Sequence, residues 1–557
     1  MYRNWQYRIY GGHPLYEWCS DVCHDANDLE NAVLFLYRNL FTALHKQPEK
    51  RHPLENEVLT FIESGVRLAN IVSKENTLKK WDETEKGPKP DISELEDKYT
   101  MPTLKYWFIS SELMIQIMRH MNHPNYNTGA ISANGCQRVI RQVRSAMAAA
   151  IANIKEYSKN PGKFLGRPGL PRYNRKGGMA TMVYASDGIH YNDNKSEDGS
   201  FSYSVTLPKQ DEKLKIGGIR PQGEIKELRI VPHNGFFVIH IVTDDGMKCP
   251  NPADALATRR IAAIDLGVDN LASIVNNCGL PCLIFKGTPL KAVNQWTSKN
   301  MAEIQSEQTK GGDKKFVMTD EAYELQQYRS DYVHDFLLKA SKRIVGWCVE
   351  NRIDTLVIGY NAGWKQESNM GKQSNQNFYM IPFLQFVEML EWRCEREGIL
   401  CVRQEESYTS QASFQDRDFI PVYGEERPEG GWKFSGYRKP TTRYYRPDGN
   451  DGIEMYKVKP RGLYKSRKYG VINSDLNGAA NSLWKAFPGA FWIPGASAPN
   501  FSSVIVFSHP DEVLDRVNHE RQLSVHGHKS KAKSHRDAKR AARAACSSSP
   551  SGIGLCE

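Results

Sequence analysis

A chain of 557 residues, 40% apolar and 25% charged, has an ordinary globular composition and room for roughly three or four domains, which excludes disorder along its whole length. It has no apolar run of about 18 residues and no apolar leader in MYRNWQYRIYGG, so neither a transmembrane helix nor export is expected. The 11 scattered cysteines suit a reducing cytosol. The formal charge of +10 is concentrated: Lys155, Lys159, Lys163, Arg167, Arg172, Arg175 and Lys176 stand against Glu156 alone, and eight Lys/Arg of residues 521–557 stand against Asp537 and Glu557. Clustered positive charge points to a polyanion partner, nucleic acid before membrane.

The aromatic-rich start, residues 1–10, reads as a strand. Residues 13–160 read as helices, with apolar positions recurring at three and four in LYEWCSDVCHDANDLENAVLFLYRNLFTALHK, ENEVLTFIESGVRLANIV, TLKYWFISSELMIQIMRHM and GCQRVIRQVRSAMAAAIANIKEYSK. The charged stretch 75–100, with Pro88 and Pro90, is expected to connect two of them. The Pro/Gly cluster NPGKFLGRPGLPRYNRKGG ends the helices, and ATMVYA, FSYSVTL, IKELRIV and GFFVIHIVTD follow as short strands of a small antiparallel barrel or sheet, to which residues 1–10 could add. From Ile261 the pattern is α/β. IAAIDLGVDNLASIV predicts two strands around a tight turn, residues 289–351 predict helix interrupted at Gly311–Gly312, and IDTLVIGYN predicts a strand. FLQFVEMLEWRCEREG predicts a helix ending at Gly398, and ILCVRQEE a further strand, together suggesting a mainly parallel sheet. Residues 407–470 interrupt it, INSDLNGAANSLWKAF resumes as helix, and the basic low-complexity end is expected to be disordered when free.

Two aspartates stand out. Asp265 interrupts an otherwise apolar strand, where a carboxylate must be paired, bind metal or cap a turn. Asp475 opens a helix, a position that the helix dipole alone can explain. Were they to converge, carboxylates on one sheet edge could hold two Mg²⁺ ions that activate water and stabilise a phosphodiester's leaving oxygen.

IAAIDLGVDNLASIV and INSDLNGAANSLWKAF resemble the first and third RuvC motifs of the TnpB family of transposon-encoded nucleases and the compact type V CRISPR effectors related to them. VIGYNAGWKQ, QNFYMIPFLQFVEMLEWRCEREGI, EESYTSQASFQDRDFIPVY, KPRGLYKS, HPLYEWCSDVC and KNPGKFLGRPGLPRY extend the resemblance over most of residues 1–490. It implies a multidomain α+β protein. A wedge domain would combine residues 1–12 with a β-barrel at 161–250, a helical recognition lobe would occupy 13–160, and an RNase H-like RuvC nuclease would comprise 251–406 and 471–515. A target-nucleic-acid-binding insertion would lie at 407–470 and a basic tail at 516–557. The implied activity is RNA-guided, Mg²⁺-dependent DNA cleavage beside a short DNA motif. The implied partners are double-stranded target DNA and a guide RNA, either a transposon-end RNA or a CRISPR RNA with or without a trans-activating RNA.

Two departures from the family pattern matter. Where most relatives carry the second catalytic carboxylate, this chain has Gly359, which cannot ligate metal. Glu405 and Glu406 end the next strand, which in an RNase H-like sheet would neighbour the first. One of them, with Glu406 slightly favoured, is expected to join Asp265 and Asp475 as catalytic and metal-binding residues; otherwise the chain is a nuclease-inactive RNA-guided DNA-binding protein. A guide-free resolvase or transposase is a third reading. No cysteine lies between Cys401 and Cys546, so a four-cysteine zinc site in the insertion is not expected. Instead residues 432–469 carry eight aromatics, among them Trp432, Phe434, Tyr437, Tyr444, Tyr445 and Tyr464, and eleven Lys/Arg against three acids. That composition suits stacking on unpaired bases with cations along the backbone, or an aromatic core with a basic rim. Arg167, Arg172, Lys365, Gln366, Arg438, Arg443, Arg461, Lys465 and Arg467 are the expected nucleic-acid contacts.

Overall fold

The computed structural model describes residues 1–84, 90–127, 129–195, 201–217, 220–248, 259–310, 312, 315–361, 380–426, 428–438, 441–447, 453–458 and 462–512, with the last two strands before residue 459 followed by backbone only. The chain divides into two compact units, residues 1–248 and 249–557.

In the first unit, strand β1 (Tyr2–Tyr10) is followed by helices α1 (Tyr16–His45), α2 (Pro53–Thr84), α3 (Ser111–His120) and α4 (Ala133–Lys159). Strands β2 (Met182–Ala185), β3 (Tyr191–Lys195), β4 (Phe201–Leu207), β5 (Gln210–Gly217), β6 (Glu224–Pro232) and β7 (Phe236–Asp244) come next. β1 pairs antiparallel with β7 from Tyr2 opposite Asp244 to Tyr10 opposite Phe236, giving one sheet of order β1-β7-β6-β2; β3, β4 and β5 form a second. α1 buries Trp18, Val22, Leu29, Val33 and Leu40, and these share one apolar core with Leu228, Ile230, Ile239 and Ile241 of the sheet. Helices of 13–160 and strands of 161–250 thus share one apolar core.

Two expectations change here. α2 runs on to Thr84 through part of the expected connection. TLKYWFIS is not helical: Ser110 caps α3 by accepting from the Leu113 amide at 3.1 Å, which starts the helix there. Trp107 and Phe108 instead pack against Phe41 and Tyr37 of α1.

The second unit holds strands β8 (Ile261–Leu266), β9 (Asn270–Asn276) and β10 (Pro281–Lys286), helices α5 (Thr288–Gln308) and α6 (Asp320–Glu350), β11 (Thr355–Gly359), α7 (Phe383–Glu397) and β12 (Leu400–Gln404). After them come β13 (Tyr437–Arg438), β14 (Thr441–Pro447), β15 (Ile453–Val458), β16 (Leu463–Ser466), β17 (Gly470–Asn473), α8 (Ser474–Ala486) and β18 (Asn500–Phe507). α7 ends where sequence indicates, at Gly398 with φ 71°, the left-handed conformation that glycine adopts at least cost.

The main sheet has the order β12-β11-β8-β9-β10-β18, with β8–β9 and β9–β10 antiparallel and the other pairs parallel. It has the RNase H-like strand order with β8 in the middle, and it is mainly parallel as the sequence suggests: β9 alone runs against the other five strands. Strand residues alternate in direction. Ala262, Ile264 and Leu266 face a core with Phe336 and Leu337 of α6 and Leu390 of α7. Ile261 and Ala263 face α8, whose Leu476, Ala479, Ala480 and Leu483 form the opposite core. Asp265 therefore belongs to the α8 face. The strand that carries Glu405 and Glu406 does not neighbour β8 as expected; β11 lies between them. Within 407–470, β13, β16 and β17 form one small sheet and β14 with β15 another. No described helix is long and apolar enough to cross a membrane.

Candidate active site

The site sits where β8, β11 and β12 end and α8 begins. Ile358 pairs with Ile264, so Gly359 stands beside Asp265, and Gly359 pairs in turn with Gln404. Past Gln404 the chain leaves the strand, and its two glutamates part company. Glu405 turns to Lys485, whose Nζ donates to Oε2 at 2.5 Å, and accepts from the Ser407 amide at 2.6 Å. Burial pushes the Glu405 carboxyl up, but these partners outweigh it and hold the group below the usual carboxylate range. Lys485 also donates to the carbonyls of Ser407 (3.3 Å) and Pro421 (3.1 Å), so Glu405 serves to anchor the turn.

Glu406 turns the other way and is 9% exposed. Its amide donates to Asn361 Oδ1 at 2.9 Å, and its side chain reaches back over Gly359. A Cβ on residue 359 would lie 2.9 Å from Glu406 Cγ and 2.7 Å from Cδ, and would overlap Oε1. Gly359 is thus the cradle of the Glu406 side chain. On the other side, a Cβ on Gly478 of α8 would lie 2.7 Å from Asp265 Oδ2. Two glycines clear the space in which these carboxylates meet.

Burial raises the Asp265 pKa to about 8, with Asp475 adding repulsion and Glu406 and the exposed Arg438 opposing it. Burial, then the Asp265 charge, likewise push Glu406 well above the carboxylate range. Glu406 Oε1 is a buried acceptor with no protein partner. Asp475 is held apart. Its Oδ2 accepts from Asn270 Nδ2 at 2.7 Å, and Lys286 Nζ donates to Asn270 Oδ1 at 2.8 Å. Asn473 caps α8 by accepting from the Asp475 and Leu476 amides at 2.9 and 3.2 Å. The structure therefore joins Asp265 to Glu406 and leaves Asp475 within electrostatic reach. Among the described residues no three His, Cys, Asp or Glu side chains are clustered tightly enough to hold one ion. The pair nevertheless fits a divalent cation. Its donors are hard oxygens, it lacks a bonded cation, and Oε1 is orphaned, a costly state that a metal would relieve.

A pH prediction follows. Both groups have folded pKa values above their unfolded ones, so the stability that they confer is complete below about pH 4 and is lost as pH rises, for Asp265 through about 8. In EDTA, the melting temperature of wild type relative to Glu406→Gln should fall by a few degrees across this window. Excess Mg²⁺ should restore it at pH 8 and do little at pH 5. A difference independent of both pH and Mg²⁺, read by scanning fluorimetry, would contradict this electrostatic account.

The other expected contacts divide by unit. In the first, Arg167, Arg172, Arg175 and Lys176 are exposed on an ordered loop. α1 holds its backbone: Arg38 Nη1 donates to the Pro171 carbonyl at 2.7 Å, Asn31 Nδ2 to Asn174 at 3.3 Å and Asn27 Nδ2 to Arg175 at 3.1 Å. The Arg38 guanidinium lies 4.9 Å from the Tyr173 ring centre. Arg172 and Arg175 line a cleft of about 670 Å³. Replacing both by alanine should lower the slope of log affinity against log salt for an RNA duplex by about 1–2, the mark of lost phosphate contacts. An unchanged slope would show that the loop faces no polyanion.

In the second unit Arg438, Lys465 and Arg467 are exposed around the small sheet β13-β16-β17. Lys365, Gln366 and Arg461, with the Arg443, Tyr444 and Tyr445 side chains, lie outside the described residues. Tyr464 is fully buried and donates from Oη to the Gln411 carbonyl at 2.7 Å, which removes it from any stacking role. Trp432 packs on Tyr408 and Phe419, so part of this aromatic set is core. Sequence reading missed Asn270, Asn361, Gly478 and Lys485. Only the small residue at Gly478, within an otherwise good helix, carries any local signal.

Residues 246–365 match the OrfB_IS605 family, described as a probable transposase. The resemblance read from the motifs stands on this match over β8 to β11. No curated protein matches the chain. Among solved structures, a Cas12f1-sgRNA-target DNA complex aligns at 10% identity over 86% of this chain and 98% of that one, with a TM-score of 0.39. The mini-RNA-guided endonuclease CRISPR-Cas_phi3 aligns at 9% identity over 89% and 94%, with a TM-score of 0.35. C2c1 of Alicyclobacillus acidoterrestris with single-guide RNA aligns at 9% identity over 82% and 70%, with a TM-score of 0.31.

Proposed function

We propose that this chain, which carries an OrfB_IS605 match across the strands that bear its first acidic motif, is an RNA-guided DNA endonuclease with one metal-dependent RuvC site. The observation that supports it most is the Asp265–Glu406 pair, buried and assembled over Gly359. Burying two carboxylates without a bonded cation costs free energy, and a chain that had given up metal chemistry would have no use for that cost. Bound Mg²⁺ would supply an activated water and a stabilised leaving oxygen at the scissile phosphate. Asp265 and Glu406 would hold it, Asn270 would aim Asp475, and Glu405 with Lys485 would fix the turn that delivers Glu406. We assign residues 1–12 with 161–250 to a wedge domain, 13–160 to a recognition lobe, 251–406 with 471–515 to the nuclease and 407–470 to a target-binding insertion. Guide pairing would carry most sequence specificity, with one short DNA motif read by protein.

The test is to purify the chain with RNA from its native locus, sequence that RNA, and incubate the complex with Mg²⁺ and a guide-matched DNA library randomised beside the target. Cutting beside one short motif supports the proposal, and the RNA ends assign a transposon or CRISPR origin. Guided binding without cutting would replace it with a programmable DNA binder, and cutting without RNA would replace it with a guide-free nuclease.

A further inference from the structure

Beyond the carboxylates, α8 and the residues after it build an aromatic hollow in the second unit. Trp484 and Phe491 lie stacked at 16° with centroids 6.2 Å apart. Trp492 meets Trp484 edge-on at 4.6 Å and 77°, and Phe414 closes a further side 5.1 Å from Phe491. The hollow encloses about 280 Å³. Three features set it apart from an ordinary gap in packing. Trp492 stands 57% exposed at the mouth, with its ring edge-on to the stacked Trp484. Gln415, on the lining, has a buried Oε1 with no partner, an arrangement that costs free energy until something donates to it. Arg417 is held at φ 57°, an uncommon backbone conformation for a residue with a side chain, and places its guanidinium 5.5 Å from the Trp492 ring centre.

We infer that this hollow receives one unpaired nucleobase of single-stranded DNA, with adenine favoured. The inference rests on the nuclease reading above and extends it to how the strand is held. Aromatic walls at right angles give a flat ring one face to stack on and one edge to meet. The Gln415 amide can donate to and accept from an adenine edge, and Arg417 at the rim suits the adjoining phosphate. Asp418, also on the lining, already accepts from Ser413 and Ser435 and argues against a bare anion inside. Location supports the same occupant. Asn481 lines the hollow six residues after Asp475, about 9 Å along α8, so one strand can reach both hollow and carboxylates.

The experiment uses the full chain in EDTA, where no cutting occurs, with single-stranded deoxyoligonucleotides carrying one 2-aminopurine or one abasic position. Wild type should quench 2-aminopurine fluorescence. Trp492→Ala should weaken binding about five- to tenfold and abolish the quench, and Trp492→Phe should keep most of both. Gln415→Ala should retain the quench but lose preference for adenine over thymine. Trp492 is exposed, so its variants test the surface rather than the fold. Binding and quench unchanged in Trp492→Ala would overturn the inference. Guided cutting by wild type in Mg²⁺ is scored separately. Cutting with an unresponsive Trp492 sinks only the base pocket, and a responsive Trp492 without cutting sinks only the nuclease assignment.

Discussion

Replacing Glu406 by glutamine should reduce guided DNA cleavage on the order of a thousandfold while leaving target binding within about twofold. The change keeps the shape over Gly359 and removes only the charge. Asp265→Asn should do the same. Glu405→Gln, one residue away, should cost less than about tenfold, because that carboxyl is committed to Lys485 and the Ser407 amide and acts through the turn that it anchors. Cleavage and filter-binding assays on the RNA-loaded protein separate the cases. Equal losses from the two glutamates would mean that the site is not built as described.

The second large effect is expected at a residue with no side chain. Gly359→Ala puts a methyl group where Glu406 already lies, with Cγ at 2.9 Å and Cδ at 2.7 Å, well inside contact distance. The atoms met all belong to the Glu406 side chain, so it is this carboxylate that has to move. Overpacking of this kind costs about 1–3 kcal/mol, and here relief comes only by expelling the carboxylate. Cleavage should fall at least about a hundredfold with a modest loss of melting temperature. The informative companion is the exchange Gly359→Glu with Glu406→Gly. It returns the carboxylate to the strand beside Asp265 and should recover part of the activity that Gly359→Ala loses. If Gly359→Ala cuts as wild type does, Glu406 does not occupy the cradle when the enzyme works.

Much of this site was legible before any coordinates. Asp265 announced itself as an acid in an apolar strand, and Asp475 as the acid that opens a helix. Gly359 was legible as a departure, and the paired glutamates after the next strand as its remedy. What sequence could not convey is the order of strands. Reading Glu406 onto a neighbour of β8 brought it to Asp265 through the wrong geometry, because the edge position of β12 follows from how three strands pair, which no local pattern encodes. The glycine therefore looked like a loss to be compensated elsewhere, when it is the opening that admits the Glu406 side chain. β10 and β18 went unrecognised for a related reason. β10 is a short apolar run close after β9, and β18 lies far along the chain beyond a segment with no regular pattern, so their parallel pairing is a tertiary outcome. In sequence the Tyr-rich insertion stands open between stacking and core. Composition cannot tell a stacking ring from a packed one, and Tyr464 belongs to the second kind.

The turn after Glu406 runs back along α8 and is stitched to it. Asn477 Nδ2 donates to the Ala412 carbonyl at 2.8 Å and its Oδ1 accepts from the Phe414 amide at 3.1 Å, while Asn481 Nδ2 donates to Thr409 and Ala412, each at 2.7 Å. All of these bonds are enclosed between the turn and the helix. Glu406 and Asp475, about seventy positions apart in the chain, are therefore mounted on a single clasp. Such a part fails as a unit: a fluctuation that frees one acid frees the other, and the amides of Phe414 and of the facing turn of α8 should exchange with solvent at one common rate. In the nuclease proposed here, cutting would then be lost through an all-or-none opening and would not fade by degrees as either acid loosens.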